Sequence, residues 1–251
     1  MVNRMKDKMK KGEPVFGAVI SIVDTSLPDI AQTLSDVGFD YLIIDLQHGP
    51  ANFMLLRHFV EFIGGSETIV MARSLSSDPK TIARTLDMLV KGIVVPDVDS
   101  RKEAEKIVSA SLYPPSGTRS INTLMTSKQR DEINEDIIIL LMIETLEGLD
   151  NIDEIATVDG VDGILIGPND LAASLGIFNE YLNPKFIEAT EKIVDVCKKH
   201  KLPCGFLAPI EPPERPLKLG CKIFSVGFDL DFLRGGAIEA LKRVKEEVSK
   251  I

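Results

Sequence analysis

The chain has 251 residues, of which 44% are hydrophobic and 27% charged, and its formal net charge is −9. That length suits one α/β barrel with a large core, spanning residues 1–251. The acidic balance argues against nucleic acid and anionic membrane as partners, since both need a basic surface; with no 18-residue apolar run and no leader-like start, a cytoplasmic protein is expected.

Short apolar runs alternate with amphipathic stretches along the chain. The predicted strands are Val15–Ser21, Tyr41–Leu46, Thr68–Arg73, Gly92–Val98, Ile137–Glu144, Asp162–Gly167, Pro203–Ala208 and Lys222–Gly227. They are rich in Val and Ile and apolar on consecutive positions, the pattern of parallel strands buried on both faces. After Ser111 the alternation breaks. The run Tyr113-Pro114-Pro115-Ser116-Gly117-Thr118-Arg119 excludes a helix, and polar residues continue to Asp136, so a long loop is predicted there. Asn183-Pro184 opens a helix that places Phe186, Thr190, Ile193, Val194 and Cys197 on one face. The last helix carries Leu233, Ala237, Leu241, Val244 and Val248 at the same spacing. Eight such units, without a glycine-rich first turn, predict a closed (β/α)8 TIM barrel rather than an open sheet. Cys197, Cys204 and Cys221 lack zinc-like spacing and fall in apolar segments, so they are expected to be reduced core residues.

In such a barrel the chemistry lies at the carboxyl ends of the strands. Glu144 and Asp170 follow the fifth and sixth strands, adjacent in the barrel, and two carboxylates with open positions suit a hard divalent cation. The alternative is that Asp170 only caps a helix and Glu144 is a solvated strand end. Against this, Glu144 directly follows the apolar run Ile137–Ile143, an expensive place for an unpartnered charge. Arg73 closes the third strand, where it can fork onto a carboxylate or a developing oxyanion, or else pair with a nearby loop. His48 follows the second strand, whereas His58 and His200 fall on helices; Asp45 and Asp87 are the carboxylates that could orient its ring. No lysine stands at a strand's carboxyl end, since Lys91 precedes the fourth strand and Lys222 begins the eighth. A Schiff-base mechanism therefore has no candidate residue.

These residues, taken together, resemble the HpcH/HpaI aldolase family. The resemblance rests on Asp45-Leu46-Gln47-His48-Gly49-Pro50, Arg73 followed by Asp78-Pro79, the Tyr113-to-Arg119 run, Ile143-Glu144-Thr145 and Gly167-Pro168-Asn169-Asp170-Leu171-Ala172, in that order. It implies a barrel of the phosphoenolpyruvate/pyruvate-binding type and a class II aldolase, an aldehyde-lyase that cleaves a 4-hydroxy-2-oxo acid to pyruvate and an aldehyde through a metal-stabilised enolate. By the resemblance, Glu144 and Asp170 would hold Mg²⁺, Mn²⁺ or Co²⁺, and Arg73 would contact the pyruvate carbonyl. His48 would be the acid/base with Asp87 as its partner, the backbone at Gly167 and Asn169 would receive the carboxylate, and Leu207 would face the aldehyde. The family's helix exchange between subunits implies a homo-oligomer, a hexamer built as a trimer of dimers.

The chain departs from the family pattern at several points. Met142 stands where the family has Gln, Ser120 where it has Gly, Gln47 where it has Glu, and Val19 where an aromatic is frequent. The loop from Arg119 to Ile137, though long, is shorter than in the family's well-known aldolases. These changes bear on the substrate and leave the metal and enolate chemistry in place. An acyl-CoA lyase of the citrate-lyase branch, an oxo-acid decarboxylase or a non-catalytic metabolite-binding barrel stay open as alternatives at this point.

Overall fold

The computed structural model describes residues 3–21, 27–121, 125–210 and 212–250. The first half comprises α1 (Arg4–Lys10), β1 (Val15–Ile20), α2 (Leu27–Val37), β2 (Tyr41–Asp45), α3 (Phe53–Ile63), β3 (Ile69–Arg73), α4 (Pro79–Leu86), β4 (Gly92–Val95) and α5 (Arg101–Ser111). The second comprises α6 (Ser127–Asp136), β5 (Ile138–Ile143), α7 (Leu146–Asp150), α8 (Ile152–Ile155), β6 (Gly163–Ile166), α9 (Pro168–Ser174), α10 (Pro184–Lys199), β7 (Cys204–Phe206), α11 (Arg215–Leu219), β8 (Ile223–Phe228) and α12 (Asp229–Val248). All eight expected strands form. They pair in parallel in chain order, and β8 closes onto β1 to make the barrel.

The consecutive apolar positions are explained by two cores. Side chains pointing inward, including Tyr41, Ile43, Met71, Val94, Leu140, Met142 and Leu165, fill the barrel lumen. Their neighbours Leu42, Ile44, Ala72, Ile93, Leu141 and Ile166 point outward and pack beneath the helices. Period-two alternation thus sorts residues between two apolar places rather than between core and water. At the amino-terminal end, α1 lies across the lumen and inserts Met5 and Met9 into the inner core. Its neighbour Asn3 donates to the Asp136 carbonyl at 2.7 Å, and Lys6 pairs with Asp162 at 3.1 Å.

Some expectations require correction. Several strands are shorter than predicted; β4 stops at Val95 because Pro96 has no N–H to continue the ladder. The polar stretch before β5 is not wholly loop. Thr126 and Gln129 form a reciprocal capping box that starts α6. That helix buries none of its residues, so hydrophobic periodicity could not announce it. The last helix forms as predicted, but its apolar stripe does not face the barrel: Leu233, Leu241, Val244 and Val248 are 57–66% exposed. Only its first turns touch the body, where Phe232 stacks on Phe39. Cys197, Cys204 and Cys221 are buried free thiols, as expected. Among the described residues no helix is long and apolar enough to cross a membrane.

Candidate active site

Parallel register sets Asp45 of β2 directly beside Arg73 of β3. The arginine donates from Nε to Asp45 Oδ1 at 2.9 Å and from Nη2 to Oδ2 at 2.5 Å, a bidentate fork with both residues buried. Asp45 Oδ1 also accepts the backbone N–H groups of Gln47 (3.0 Å) and His48 (3.2 Å). Burial opposes the charge of Asp45, but the Arg73 hydrogen bonds and charge and these two N–H groups outweigh it, holding the carboxyl below its ordinary range. Asp45 therefore orients Arg73 and the backbone of the loop carrying His48, not the imidazole as the sequence allowed. The fork occupies two of the five guanidinium N–H groups and leaves the others for a substrate.

Glu144 is the first residue beyond β5 and is only 2% exposed. Its Oε1 accepts the Asp97 N–H at 2.9 Å. Its Oε2 lies against Gly167, where a Cβ would come within 2.0 Å, so no residue with a side chain fits there without displacing the carboxylate. Burial pushes the Glu144 carboxyl up to about 7; the Asp97 N–H and the charge of Arg73 work against this, and the charges of Asp97 and Asp170 add to it. Asp170 sits in the first turn of α9, exposed toward the mouth, and its side chain caps no helix.

Asp45, His48, Arg73, Met142, Gly167, Asn169, Asp170 and Leu207 line one cavity of about 300 Å³ at the carboxyl ends of the strands, with Ser21, Pro168, Ala208 and Phe228 completing the wall. His48 stands exposed at its edge. Asp87 is not there. It caps the carboxyl end of α4, a helix running back from the mouth, and its Oδ1 pairs with Arg119 Nη2 at 2.8 Å. Arg119 in turn lies 4.5 Å over the Tyr113 ring and lines a larger cavity of about 960 Å³ with Leu86, Val90 and Lys91 near the strands' amino ends. Within one chain Asp87 is engaged with Arg119 and does not line the cavity that His48 lines.

Sequence reasoning missed two residues. Asp97 has a left-handed backbone, φ 54°, which turns its N–H onto Glu144. Its carboxyl is raised by burial and by the charges of Asp170, Asp99 and Glu103. The signal available was Pro96, which ends β4 and leaves Asp97 at the mouth. Tyr181 was invisible: its hydroxyl bonds the Asn169 side chain from a loop twelve residues on in the chain. Among the described residues no three His, Cys, Asp or Glu side chains gather to hold a metal. The pair Glu144 and Asp170 nonetheless fits a hard divalent cation, because a buried carboxyl crowded by other acids gains most as an anion from added positive charge, beyond what the Asp97 N–H and Arg73 supply. Bound there, a cation would need further oxygen ligands from substrate or water.

The profile of the HpcH/HpaI aldolase/citrate lyase family matches residues 22–235. A pyruvate aldolase of Rhizobium etli is 32% identical over 96% of each chain. A 4-hydroxy-2-oxo-heptane-1,7-dioate aldolase of Salmonella paratyphi C is 33% identical over 96% of this chain and 94% of its own. Among solved structures, the citrate synthase SbnG superposes with a TM-score of 0.88 at 30% identity, covering 98% of both chains. An HpcH/HpaI aldolase from Desulfitobacterium hafniense superposes with a TM-score of 0.87 at 26% identity, covering 96% of both. With a family profile matched over most of its length, and with relatives above 30% identity spanning nearly all of it, the chain is an enzyme of the aldolase type and belongs to the HpcH/HpaI aldolase/citrate lyase family.

Proposed function

We propose that this protein cleaves a 4-hydroxy-2-oxo acid to pyruvate and an aldehyde, using a divalent cation held by Glu144 and Asp170. The observation that carries the reading is Glu144, a buried carboxyl at a strand end that feels the charges of Asp170 and Arg73, two residues that line one cavity at the barrel mouth. A proton leaves the C4 hydroxyl, the C3–C4 bond breaks with its electrons passing into the C2–C3 enolate, and the aldehyde departs. Protonation of C3 then gives pyruvate. Mg²⁺, Mn²⁺ or Co²⁺ bound by the two carboxylates supplies Lewis-acid stabilisation of the enolate charge. Arg73, held rigid by Asp45, offers its free N–H groups to the same oxygen. His48 moves the proton at the C4 hydroxyl. The backbone at Gly167 and Asn169 receives the pyruvate carboxylate, and Leu207 faces the aldehyde.

Asp87 keeps a role only if a second copy supplies the contact. Its side chain is 47% exposed on the barrel's outer surface, so in an oligomer it can reach the His48 of another subunit. The exposed apolar stripe of α12 supports such an assembly, up to a hexamer. The reading is tested by pyruvate release from 4-hydroxy-2-oxo acids after EDTA treatment and on adding back Mn²⁺, Mg²⁺ or Co²⁺. Release should disappear with EDTA, return with metal, and be abolished in Glu144→Gln at unchanged far-UV circular dichroism. Undiminished release in that variant, or in the metal-stripped enzyme, would overturn it.

A further inference from the structure

We propose, resting on the aldolase reading above, that Tyr181 is a positioning residue for the oxo-acid end of the substrate: its hydroxyl holds the Asn169 side chain and so fixes the turn that carries Asn169 and Asp170. That turn is the start of α9, a helix of seven residues. The far half of α9 is well anchored. Leu171 and Ala172 are buried, and the Leu146 N–H donates to the Ser174 hydroxyl at 2.9 Å. The near half has little to hold it, since Gly167 at the amino end makes no side-chain cap and Pro168 brings no N–H. Asn169 and Asp170 are both exposed, and both line the cavity at the mouth. Among the described residues, the bond from Tyr181 is the one side-chain hydrogen bond made to this turn.

Tyr181 is itself held from two other elements. Arg215, which opens α11 between β7 and β8, donates from Nη1 to the Tyr181 carbonyl at 3.0 Å and from Nη2 to Thr190 Oγ1 of α10 at 2.7 Å. The Tyr181 ring meets Phe186 edge-on, with centroids 5.4 Å apart at 61°, and the Arg215 guanidinium lies 5.7 Å over that same Phe186 ring. Phe186 and Thr190 are fully buried, so this series of contacts ends in packed core. Every link lies within one chain. The hydroxyl has a second acceptor, Asn179 Oδ1 at 3.3 Å, but the contact to Asn169 is the shorter. Burial, and then the charge of Asp170, raise the phenol above its ordinary value, so it keeps its hydrogen and stays a donor. The gain expected from this support is in binding rather than in turnover. A turn that swings free must be ordered each time a carboxylate arrives, whereas Arg73 and the cation, which meet the developing charge, are untouched.

The test follows exchange of pyruvate methyl protons with D₂O by the Mn²⁺-loaded enzyme, which reads the oxo-acid end without an aldehyde. Tyr181→Phe removes the hydroxyl and keeps the ring on Phe186. It should raise KM for pyruvate about 3–10-fold, the worth of one hydrogen bond, and leave kcat within about twofold. Asn169→Ala keeps the backbone N–H and should raise KM to a similar degree, and it reads the same bond should Tyr181→Phe fold poorly. In the double variant the two effects should not add, because each removes one end of the same bond. A hydroxyl that only stabilises the fold would shift the urea midpoint and leave KM alone. An unmoved KM in either single variant, an effect confined to kcat, or additive effects in the double variant overturns the proposal. Wild-type exchange with a silent Tyr181→Phe removes this proposal alone, whereas no wild-type exchange removes the aldolase reading and this proposal with it.

Discussion

Arg73 is useful because its position is fixed before any substrate arrives. Two hydrogen bonds to Asp45 lock the guanidinium plane, and Asp45 is itself locked by two backbone N–H groups. A lysine there would keep the charge but lose the planar fork and its bidentate grip on Asp45. Arg73→Lys is expected to slow the exchange of pyruvate methyl protons with D₂O by about 10²–10³-fold, the usual loss on removing one oxyanion donor. Normal exchange in that variant would assign Arg73 to a purely structural role. The strand-end positions of Arg73 and Glu144 were legible in the sequence because the first ends a recognisable apolar run and the second directly follows one; Asp170 lies four residues beyond its run. The company of Asp45 was not, since cross-strand register decides it and register is not written in one strand. Nor was the pairing of Asp87 with Arg119, which depends on where the Tyr113-to-Arg119 turn folds back.

At the level of elements, the strands were the easiest to read and the helices divided. Residues buried on both faces give apolar runs that stand out against any background, and all eight strands followed from them. Helix α10 was equally plain, because Asn183 caps it, Pro184 opens it and one face is buried. Helix α6 has no buried face and is fixed by its cap alone, a signal of one or two residues. Helix α12 was legible in type but not in destination, because periodicity records that a stripe is apolar and not what covers it. An exposed stripe of Leu and Val along twenty residues predicts association. Leu241→Glu should lower the mass measured by sedimentation while leaving far-UV circular dichroism unchanged. An unaltered sedimentation coefficient in that variant would place the stripe outside any interface.

For the whole molecule, the buried acid at the mouth links stability to pH and metal. The Glu144 carboxyl is raised in the folded state to about 7. The metal-free fold therefore binds that proton more tightly than the unfolded chain does, so this group's contribution is fully present below its ordinary pKa. It is lost as pH rises through 7, with a loss of about 3 kcal/mol for a shift of this size. Asp45 acts in the opposite sense at lower pH, its stabilising pair with Arg73 being lost as the acid limb is entered. With EDTA present, the urea midpoint should fall between pH 5 and pH 8. Added Mn²⁺ should reverse the fall and release about one proton per site near pH 6, because the cation binds only the ionised carboxyl. A midpoint indifferent to both pH and metal over that range would refute the linkage.

The opposite end of the barrel carries a consequence for the order of events in folding. Helix α1 precedes in the chain everything it docks against: Asn3 and Lys6 reach Asp136 and Asp162, and Met5 and Met9 enter a lumen that exists only once the ring of strands has closed. It is a stopper that can be seated only in a finished bottle. Contacts so distant in sequence form late, and a piece that seats late can lift out alone. Hydrogen exchange of the native protein should therefore show the α1 amides opening before the strands, and Met5→Ala should speed that opening without loosening β2 or β5. Equal protection of α1 and the central strands would mean that stopper and barrel open only together.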